Sequence, residues 1–220
     1  MQRLLDILLS ATALLVLAPL LIPIALILRF TGEGEIFYNQ KRIGFNAQPF
    51  DVLKFATMLK NSPNLGTGLV TVQGDPRILP IGGFLRKSKI NELPQLLNVL
   101  LGDMSLIGPR PLAPRGFGAY TDSVKAVVTI VKPGLSGVGS IAFRNEEQML
   151  HQVEGDQMRF YDEVIMPYKG SLECWYVENQ SFILYLTLIL CTVLTVLSPK
   201  NRLLWKLYPS IPKRPANLAE

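Results

Sequence analysis

RKSKINELPQLLNVLLGDMSLIGPRPL, residues 86–112, contains a basic cluster, a predicted amphipathic helix and a Gly-Pro-Arg-Pro turn. We predict that Asn91 caps the helix, because asparagine is a favoured N-cap and Glu92 and Pro94 suit a first helical turn. Leucines at positions 93, 96, 97 and 100 share one face of this helix, and Gly102 is expected to end it. Cations beside a helix start, with Arg110 on a stiff turn, favour a phosphate ligand.

The composition indicates one domain with a core, an apolar appendage and an anionic partner. The chain has 220 residues, a net charge of +5, only 18% charged residues and a mean hydropathy of +0.28. Cys174 and Cys191 are too few for a disulfide framework or a cysteine zinc site. Because His151 is the only histidine, triads and zinc sites that need histidine are nearly excluded.

The N-terminal segment has the length and composition of a membrane element. Residues 7–28 carry no charge and could cross a hydrocarbon core of about 30 Å. Ala18-Pro19 and Pro23 lie inside it, which predicts either a kinked spanning helix or a helix-break-helix that returns to the same face. No cleavage site of the signal-peptide kind is visible. The basic residues Arg29, Lys41 and Arg42 follow, so the globular part is expected on the cytoplasmic side.

The rest of the chain is predicted to be mainly helical with short strands. The pattern predicts a strand at 35–40, an apolar element at 50–58, a helix at 116–129, a strand or loop at 136–143, a polar helix over 144–158 and a helical region over 160–176. Residues 181–197 are uncharged but at the lower length limit for a span, so we favour a core helix or one lying along the bilayer. Arg202, Trp205, Lys206 and Tyr208 then suit a membrane interface.

The polar residues suit chemistry on a nucleotide sugar. Such a substrate carries a diphosphate, which a divalent metal on one or two carboxylates and several cations would hold. Glu92 is the candidate carboxylate, and the candidate cations are Lys54, Arg86, Arg110 and Arg144. A single Arg or Lys is usually a solvated surface cation, and a Glu in a first helical turn is usually only a partner of the helix dipole. Their concentration around one helix start favours a functional site.

Five segments resemble a known family. They are RLLD (3–6), FYNQKRIG (37–44), KFATM (54–58), NELPQLLNVLLGDMSLIGPRPL (91–112) and KPGLSG (132–137). In this order they resemble the bacterial sugar transferases, the monotopic phosphoglycosyl transferases that start glycan assembly on a polyprenyl phosphate carrier.

The resemblance implies an α+β fold with three parts. Residues 1–30 would be a re-entrant membrane helix broken at Ala18-Pro19, and residues 31–180 a mainly helical cytoplasmic transferase domain with a few short strands. Residues 181–220 would be an apolar membrane-associated helix with a basic interfacial tail. The protein is expected at the bacterial inner membrane, with its globular part on the cytoplasmic face and the lipid bilayer as a partner. A homodimer is also allowed.

The resemblance also implies a reaction. Family members transfer a sugar 1-phosphate from a UDP-sugar to polyprenyl phosphate with Mg²⁺, releasing UMP, to start an exopolysaccharide, capsule, O-antigen or glycoprotein. Asn91 and Glu92 stand at the catalytic Asp-Glu dyad. Glu92 and Glu173 would hold the metal, and the phosphates would bind Lys54, Arg86, Arg110 and Arg144.

Asn91 departs from the family pattern, because an amide cannot replace a carboxylate nucleophile. It could be an engineered substitution, or native in a branch that uses direct attack by the acceptor or by Glu92, Glu146 or Glu147. The chain could also be inactive and bind only, and Asn91 could simply cap a helix. We prefer a native branch, because Ala56 and the segment 136–147 also depart from the family text. A non-catalytic scaffold is the alternative function. Nucleic-acid binding rests on the charge alone and is not expected.

Overall fold

The computed structural model describes residues 1–64, 75–151, 153, 155–198, 201–215 and 218. The helices in chain order are α1 (Gln2–Phe30), α2 (Gly82–Lys87), α3 (Gln95–Leu101), α4 (Pro114–Gly118), α5 (Asp122–Val128), α6 (Val138–Ala142), α7 (Glu146–His151), α8 (Gln157–Phe160), α9 (Met166–Glu178), α10 (Phe182–Leu197) and α11 (Leu203–Leu207). The strands are β1 (Phe37–Ile43), β2 (Pro49–Phe55), β3 (Ser105–Ile107) and β4 (Gly134–Ser136). Short 3₁₀ turns cover Phe45–Ala47, Ser62–Asn64 and Ile90–Glu92, and a π-helical turn covers Tyr161–Ile165. The fold is therefore α+β, as predicted.

The chain forms two compact units, and β1 and β2 pair in a two-stranded sheet. The first unit comprises Met1–Asp6, Lys41–Phe50 and Gly102–Glu220. The second unit comprises Ile7–Gln40 and Asp51–Leu101. Each unit has its own apolar core and is described by itself.

In the second unit, the last turns of α1 pack on β2 and α2. Ile24, Leu28, Phe55, Leu79 and Leu85 form this core, and each of them is at most 7% exposed. Asn98 of α3 ties the helix to β2, because its Oδ1 accepts from the Leu53 N–H (3.0 Å) and its Nδ2 donates to the Asp51 carbonyl (2.9 Å). The Asn98 side chain thus satisfies two backbone groups of β2 that a neighbouring strand would otherwise bond.

The core of the first unit surrounds a parallel strand pair. β3 and β4 pair with Ser105 opposite Gly134 and Ile107 opposite Ser136. Residues of α6, α9 and α10 close over this pair, and among them Val138, Leu172, Leu184, Tyr185 and Leu188 are at most 1% exposed. A Cβ at Gly134 would clash with the backbone N of Gly108, so glycine is needed where the chain before Arg110 meets β4.

The predicted helix after Arg86 begins later than expected. Asn91 lies inside the 3₁₀ turn Ile90–Glu92, and α3 begins at Gln95. Asn91 is therefore not the N-cap of α3, and its side-chain oxygen accepts no hydrogen bond from the helix. The buried side of α3 consists of Gln95, Leu96, Asn98 and Val99, of which only Leu96 belonged to the predicted leucine face. Gly102 follows the last helical residue with a φ of +101°, as expected of a helix stop.

Local capping divides several segments that were predicted as single helices. The predicted helix at 116–129 is α4 and α5, which are separated at Thr121, whose hydroxyl accepts from the Val124 N–H. The polar helix at 144–158 is α7 and α8, with Asp156 capping α8. Residues 136–143 are not a strand or loop but mainly α6, since packing overrides the weak propensity of this Gly-rich segment. The helical region at 160–176 is confirmed by the π-helical turn and α9.

α1 is the only described helix that is long and apolar enough to cross a membrane. Pro19 and Pro23 lie inside it, and the helix is assigned without interruption from Gln2 to Phe30. The predicted break at Ala18-Pro19 is thus not seen as a non-helical segment, and the re-entrant course stays a prediction. Large apolar side chains such as Leu15 (76% exposed) and Val16 (71%) lie on its surface.

α10 is a one-sided core helix. Ser181 caps it by accepting from the Leu184 N–H, and Leu184, Tyr185, Leu188 and Cys191 face the core. The opposite side is apolar and exposed, with Ile183, Leu190 and Val193 at 73%, 52% and 52%. The burial of Cys191 confirms that it acts as a small apolar residue.

Candidate functional site

The first group of predicted site residues lies in the second unit, where β2 meets the 3₁₀ turn. The Lys54 Nζ lies 3.0 Å from the Glu92 Oε1, and these side chains are 15% and 17% exposed. Lys54 comes from β2 and Glu92 from the end of the turn. The structure therefore joins the predicted phosphate cation and the predicted metal carboxylate as a half-buried ion pair.

Asn91 occupies the middle of the same turn and is only 7% exposed. Its Oδ1 is buried without a hydrogen-bond partner. A buried polar atom left unpaired costs about 1–3 kcal/mol, so this arrangement is unusual in a folded protein. The side chain at the dyad position is thus enclosed beside Glu92, and its position is set by tertiary packing rather than by helix capping.

The turn owes its place to the chain just before it. Lys89 adopts a left-handed conformation (φ +62°), which ends the run from α2 and starts the 3₁₀ turn. A Cβ on Gly82 would clash with the Thr57 carbonyl oxygen. Residue 82 must therefore be glycine for the start of α2 to lie this close to the chain after β2. Arg86 lies in α2, with its Nη1 3.7 Å from the Met58 Sδ. Arg86 thus lies a few residues before the 3₁₀ turn and contacts Met58, the last residue of the KFATM segment.

The second group lies in the first unit, around Glu173 of α9. Glu173 is 1% exposed, and its Oε1 accepts the Arg110 backbone N–H at 3.1 Å. Its Oε2 is buried without a hydrogen-bond partner. A Cβ on Gly139 would clash with the Glu173 Oε1, so the carboxylate lies against the backbone of α6. Two predicted residues, Arg110 and Glu173, are therefore brought together, with the Arg110 backbone N–H donating to the carboxylate.

Burial dominates the electrostatics of this carboxylate. It raises the pKa of Glu173 to about 7, against the opposing effects of the Arg110 N–H and the positive charges of Lys169 and Arg110. Glu173 and Arg110 also line a small cavity of about 20 Å³, together with Tyr120. Burial and the nearby Glu173 charge raise the pKa of the Tyr120 hydroxyl. A group that titrates near neutral pH in a closed environment is typical of functional sites.

Lys169 was missed by the sequence analysis. It is 2% exposed, and its Nζ lies 2.7 Å and 2.9 Å from the two carboxylate oxygens of Glu146 and 5.2 Å from the Phe143 ring centroid. Burial lowers the pKa of Lys169, while the Glu146 carboxylate opposes this shift. The i, i+4 spacing of Lys169 and Glu173 could have indicated it, because residues four apart on a helix lie on the same face. Glu146, one of the carboxylates considered as an alternative nucleophile, is thus tied at both oxygens to Lys169.

Arg144 precedes α7 and lines a different and larger cavity, of about 1000 Å³, in the first unit. The side chain of Glu147, another alternative nucleophile, lies outside the described part of the structure. The predicted phosphate residues therefore divide into Lys54 and Arg86 in the second unit and Arg110 and Arg144 in the first.

The carboxylates suit a cation that is held largely by its substrate. Within the described ranges, no group of three or more His, Cys, Asp and Glu side chains could hold a metal ion. Mg²⁺ is commonly bound through one or two carboxylates together with substrate phosphates. Glu92 and the unpartnered Oε2 of Glu173 each fit this pattern, and the magnesium prediction stays untested.

Comparisons with known proteins agree with the resemblance. The family model of the bacterial sugar transferases matches residues 1–199. Exopolysaccharide production protein ExoY of Sinorhizobium fredii is 35% identical over 169 residues, which are 70% of this chain and 74% of that protein. The UDP-glucose:undecaprenyl-phosphate glucose-1-phosphate transferase of Escherichia coli is 36% identical over 157 residues (70% and 34%). The undecaprenyl-phosphate galactose phosphotransferase of Salmonella typhimurium is 32% identical over 193 residues (81% and 37%).

The chain thus spans about three quarters of ExoY and about a third of the two undecaprenyl-phosphate transferases. The family model covers both groups of site residues described above. With this match over most of its length, the chain belongs to the bacterial sugar transferase family.

Proposed function

We propose that this protein transfers a sugar 1-phosphate from a UDP-sugar to polyprenyl phosphate at the cytoplasmic face of the membrane, and so starts assembly of a glycan. Family membership supports the transfer itself. The printed names of two relatives support the substrates, since one of them is a UDP-glucose:undecaprenyl-phosphate transferase and the other an undecaprenyl-phosphate galactose phosphotransferase. Two ExoY relatives support an exopolysaccharide as the product.

One structural observation carries the assignment of the site. In the described part of the chain, three side-chain polar atoms are buried without a hydrogen-bond partner, and two of them are the Asn91 Oδ1 and the Glu173 Oε2. Native proteins pair nearly all such atoms, so exceptions call for an explanation. A polar substrate group or an ion bound at each of these predicted residues would provide the missing partner.

The proposed reaction is a phosphoryl transfer at the β-phosphorus of the UDP-sugar. An oxygen of polyprenyl phosphate, or a carboxylate in a two-step form, bonds to the β-phosphorus. The bond from that phosphorus to the bridging oxygen breaks, and UMP leaves with the electron pair. With a carboxylate nucleophile, the acceptor phosphate then displaces the carboxylate, so both forms give the same polyprenyl diphosphate sugar.

The residues of this chain have distinct proposed roles in the transfer. Lys54, Arg86, Arg110 and Arg144 would offset the phosphate charges. Glu92, held by Lys54 at 3.0 Å, is the carboxylate beside Asn91 and therefore the preferred alternative nucleophile or metal ligand. Glu146 is less suited to attack, because both of its oxygens accept hydrogen bonds from Lys169.

Magnesium is proposed as the cofactor. When bound, Mg²⁺ would neutralise the diphosphate and lower the barrier to departure of UMP. Glu92 and Glu173 are the proposed protein ligands, and Glu173 is ready for a cation only in its ionised form. Because its pKa is about 7, we expect magnesium-dependent turnover to increase as the pH rises through neutrality.

The membrane segment would bring the enzyme to its lipid substrate. α1 is long and apolar enough to enter a bilayer, and the basic residues Arg29, Lys41 and Arg42 follow its apolar run. Cations accumulate on the cytoplasmic side of membrane segments, which supports a cytoplasmic active site. We propose the re-entrant course for α1, with the bend at Ala18-Pro19.

The test is UMP release from a panel of UDP-sugars in membranes that contain undecaprenyl phosphate, for the unsubstituted chain and for Asn91→Asp. We expect magnesium-dependent release by the unsubstituted chain, as a native branch would show. Release by Asn91→Asp alone would assign the usual aspartyl mechanism, switched off here by the amide. If neither protein binds a UDP-sugar in a magnesium-dependent way, the proposed function is wrong.

A non-catalytic scaffold is the second candidate, and the enclosed amide of Asn91 is the observation that favours it. An amide at the dyad position can bind a phosphate oxygen but cannot form a phosphosugar intermediate. Saturable UDP-sugar binding without UMP release, by the unsubstituted chain on every sugar of the panel, would establish this function instead.

A further inference from the structure

Lys169 of α9 is a buried charge to which the proposed reaction gives no role. It lies one helical turn before Glu173 and is 2% exposed. Its Nζ donates to both carboxylate oxygens of Glu146, at 2.7 Å and 2.9 Å. Moving an ammonium group out of water is costly, and a carboxylate partner offsets that cost only in a good geometry, so a buried ion pair is weak evidence for stability. The pair therefore calls for a second explanation.

The surroundings of the Lys169 ammonium group would also suit an apolar side chain. The Nζ lies 5.2 Å from the ring centroid of Phe143 and 6.0 Å from that of Tyr161. Phe143 belongs to the apolar core of the first unit, and Tyr161 packs against it. Replacing a buried ion pair by apolar residues of similar volume is often neutral or stabilising. The core therefore does not need a lysine here, whereas two hydrogen bonds from one ammonium group fix where the Glu146 carboxylate lies.

The contacts of Lys169 lie on both sides of Arg144 in the chain. Phe143 directly precedes Arg144, and Glu146 follows it by two residues. The Phe143 ring lies against the ammonium group and packs on the ring of Tyr168, the neighbour of Lys169, with 5.7 Å between the ring centroids. One side chain of α9 thus contacts the segment 143–146 at both of its ends, and the half-buried Arg144 lies between these contacts.

Local hydrogen bonds shape this segment, and the Lys169 contacts link it to α9. The Phe143 N–H donates to the Gly139 carbonyl (2.9 Å), and the Glu146 N–H donates to the Phe143 carbonyl (3.1 Å). These bonds join residues close in sequence, so they leave the distance to α9 unset. Because α9 also carries Glu173, the Lys169 contacts fix the segment that carries Arg144 relative to that carboxylate.

We propose that Lys169 is a positioning residue, which fixes Arg144 relative to Glu173 by holding Phe143 and Glu146. This inference rests on the proposed function for the roles of Arg144 and Glu173 in the reaction. Lys169 acts through Arg144 and does not touch the substrate. Such a residue matters because a displacement of about 1 Å in a catalytic group can cost about a hundredfold in rate.

The first experiment measures the motion of the segment without any substrate. A nitroxide spin label is attached at Asn145→Cys, an exposed position beside Arg144, in the full chain in detergent. Cys174→Ser and Cys191→Ala remove the two native thiols. A second protein carries the label at Ala126→Cys instead, on the exposed side of α5, and reports loosening of the first unit as a whole.

The test variant in this experiment is Lys169→Met, which removes the ammonium group and keeps an unbranched apolar side chain. Its matched control is Lys125→Met, because Lys125 forms an ion pair with Asp122 on α5 of the same unit (3.0 Å). The double variant Lys169→Met with Glu146→Gln leaves no carboxylate without its partner, so it separates loss of the contact from misfolding. Circular dichroism of each variant checks that it is folded.

We expect Lys169→Met, alone and with Glu146→Gln, to increase the mobility of the label at position 145 in its electron paramagnetic resonance spectrum. The label at position 126 should not change, and Lys125→Met should leave the label at 145 unchanged. Unchanged mobility at 145 in both Lys169→Met proteins overturns the proposal. An equal increase at both label positions also overturns it, because it indicates general loosening.

The second experiment asks whether Lys169 acts through Arg144. The kcat and the KM for the UDP-sugar are measured by UMP release for Lys169→Met, Arg144→Ala and the double variant, in whichever form of the chain is active, unsubstituted or Asn91→Asp. We expect Lys169→Met to raise the KM about tenfold, because a displaced phosphate ligand binds less well. A smaller folded fraction would lower the apparent kcat and leave the KM unchanged.

The double variant should have the same KM as Arg144→Ala, because Lys169 has nothing left to position once Arg144 is removed. Lys125→Met should leave both constants unchanged. Multiplying increases in KM, or a loss in kcat alone, overturn the proposal. If neither form of the chain releases UMP with any UDP-sugar, the proposed function fails, and the mobility of the label at 145 alone then decides whether Lys169 fixes the segment.

Discussion

Asn91 carries an amide and Glu173 a carboxyl group, but each of them has a side-chain oxygen that is buried with no hydrogen-bond partner. Asn91 is neutral and sits in a 3₁₀ turn, whereas Glu173 is ionisable and lies against α6. Burying such groups costs stability unless a bound partner recovers it, which is what we expect if these residues bind substrate or metal as proposed. Glu173 offers the sharper test, because its pKa predicts how stability varies with pH.

Glu173→Gln is expected to change the pH dependence of stability. The pKa of Glu173 is about 7 in the folded protein against an ordinary value of 4.5, so the native state binds a proton that the unfolded state has lost between these values. Stability therefore falls as the pH rises from about 4.5 to about 7, by on the order of 3 kcal/mol. The glutamine cannot ionise, so relative to the unsubstituted chain the variant gains stability between pH 5 and pH 8.

Denaturant unfolding in detergent at pH 5 and pH 8 checks this expectation. Glu178→Gln, on the exposed last turn of α9, is the control and should shift both measurements equally. A constant difference between Glu173→Gln and the unsubstituted chain across this range would mean that Glu173 does not titrate near neutral pH.

At the scale of elements, the start of α1 is held to the strand pair and to α10 by one carboxylate. The Asp6 Oδ1 accepts from the Ser105 hydroxyl (3.0 Å), the Leu106 N–H (2.9 Å) and the Tyr185 hydroxyl (2.7 Å). Asp6 is 3% exposed, so water cannot replace these bonds. The RLLD segment therefore anchors the start of α1 within the first unit.

Asp6→Asn should lower the free energy of unfolding by about 2 kcal/mol, because three charge-assisted hydrogen bonds become neutral ones. Tyr185→Phe should cost about 1 kcal/mol, and the double variant should cost less than the sum, because the two side chains share one bond. Thermal unfolding in detergent measures these costs. Asp122→Asn, an exposed aspartate in the first turn of α5, should cost only a few tenths; equal losses in both aspartate variants would rule out an anchoring role.

At the scale of the whole molecule, charge and apolar surface both favour a membrane. The net charge is +5, α1 exposes Leu15 and Val16, and α10 exposes Ile183 and Leu190. Exposed apolar side chains in such numbers are rare on proteins that stay in water. The position of the N-terminus then distinguishes the re-entrant helix from a spanning one.

A cysteine placed in a short tag ahead of Met1, in a background of Cys174→Ser and Cys191→Ala, reports that position. We expect an impermeant maleimide to leave the tag unlabelled in intact spheroplasts and to label it once the membrane is opened. Glu33→Cys, in the exposed loop after α1, should behave in the same way and is the control. Labelling of the tag in intact spheroplasts, without labelling of the cysteine introduced in the loop, would establish a spanning helix instead.

The sequence by itself determined the elements that depend on local chemistry. The apolar run of residues 7–28 and the uncharged run of residues 181–197 appear as α1 and α10, and Gly102 ends α3 with a positive φ. The family followed from linear motifs such as NELPQLLNVLLGDMSLIGPRPL, and the same motifs supplied the candidate site residues, which stay predictions. The same motifs pointed correctly to the α+β class.

Only the tertiary structure decided how those residues are held. Asn91 was expected to cap α3, but packing places it in a 3₁₀ turn with its oxygen enclosed. The Gly139 contact that buries Glu173 and the Lys169–Glu146 pair join residues far apart in the chain, and no local pattern reveals such contacts. Burial, which sets the pKa of Glu173 near 7, is a property of the assembled core, because desolvation depends on every neighbour that excludes water.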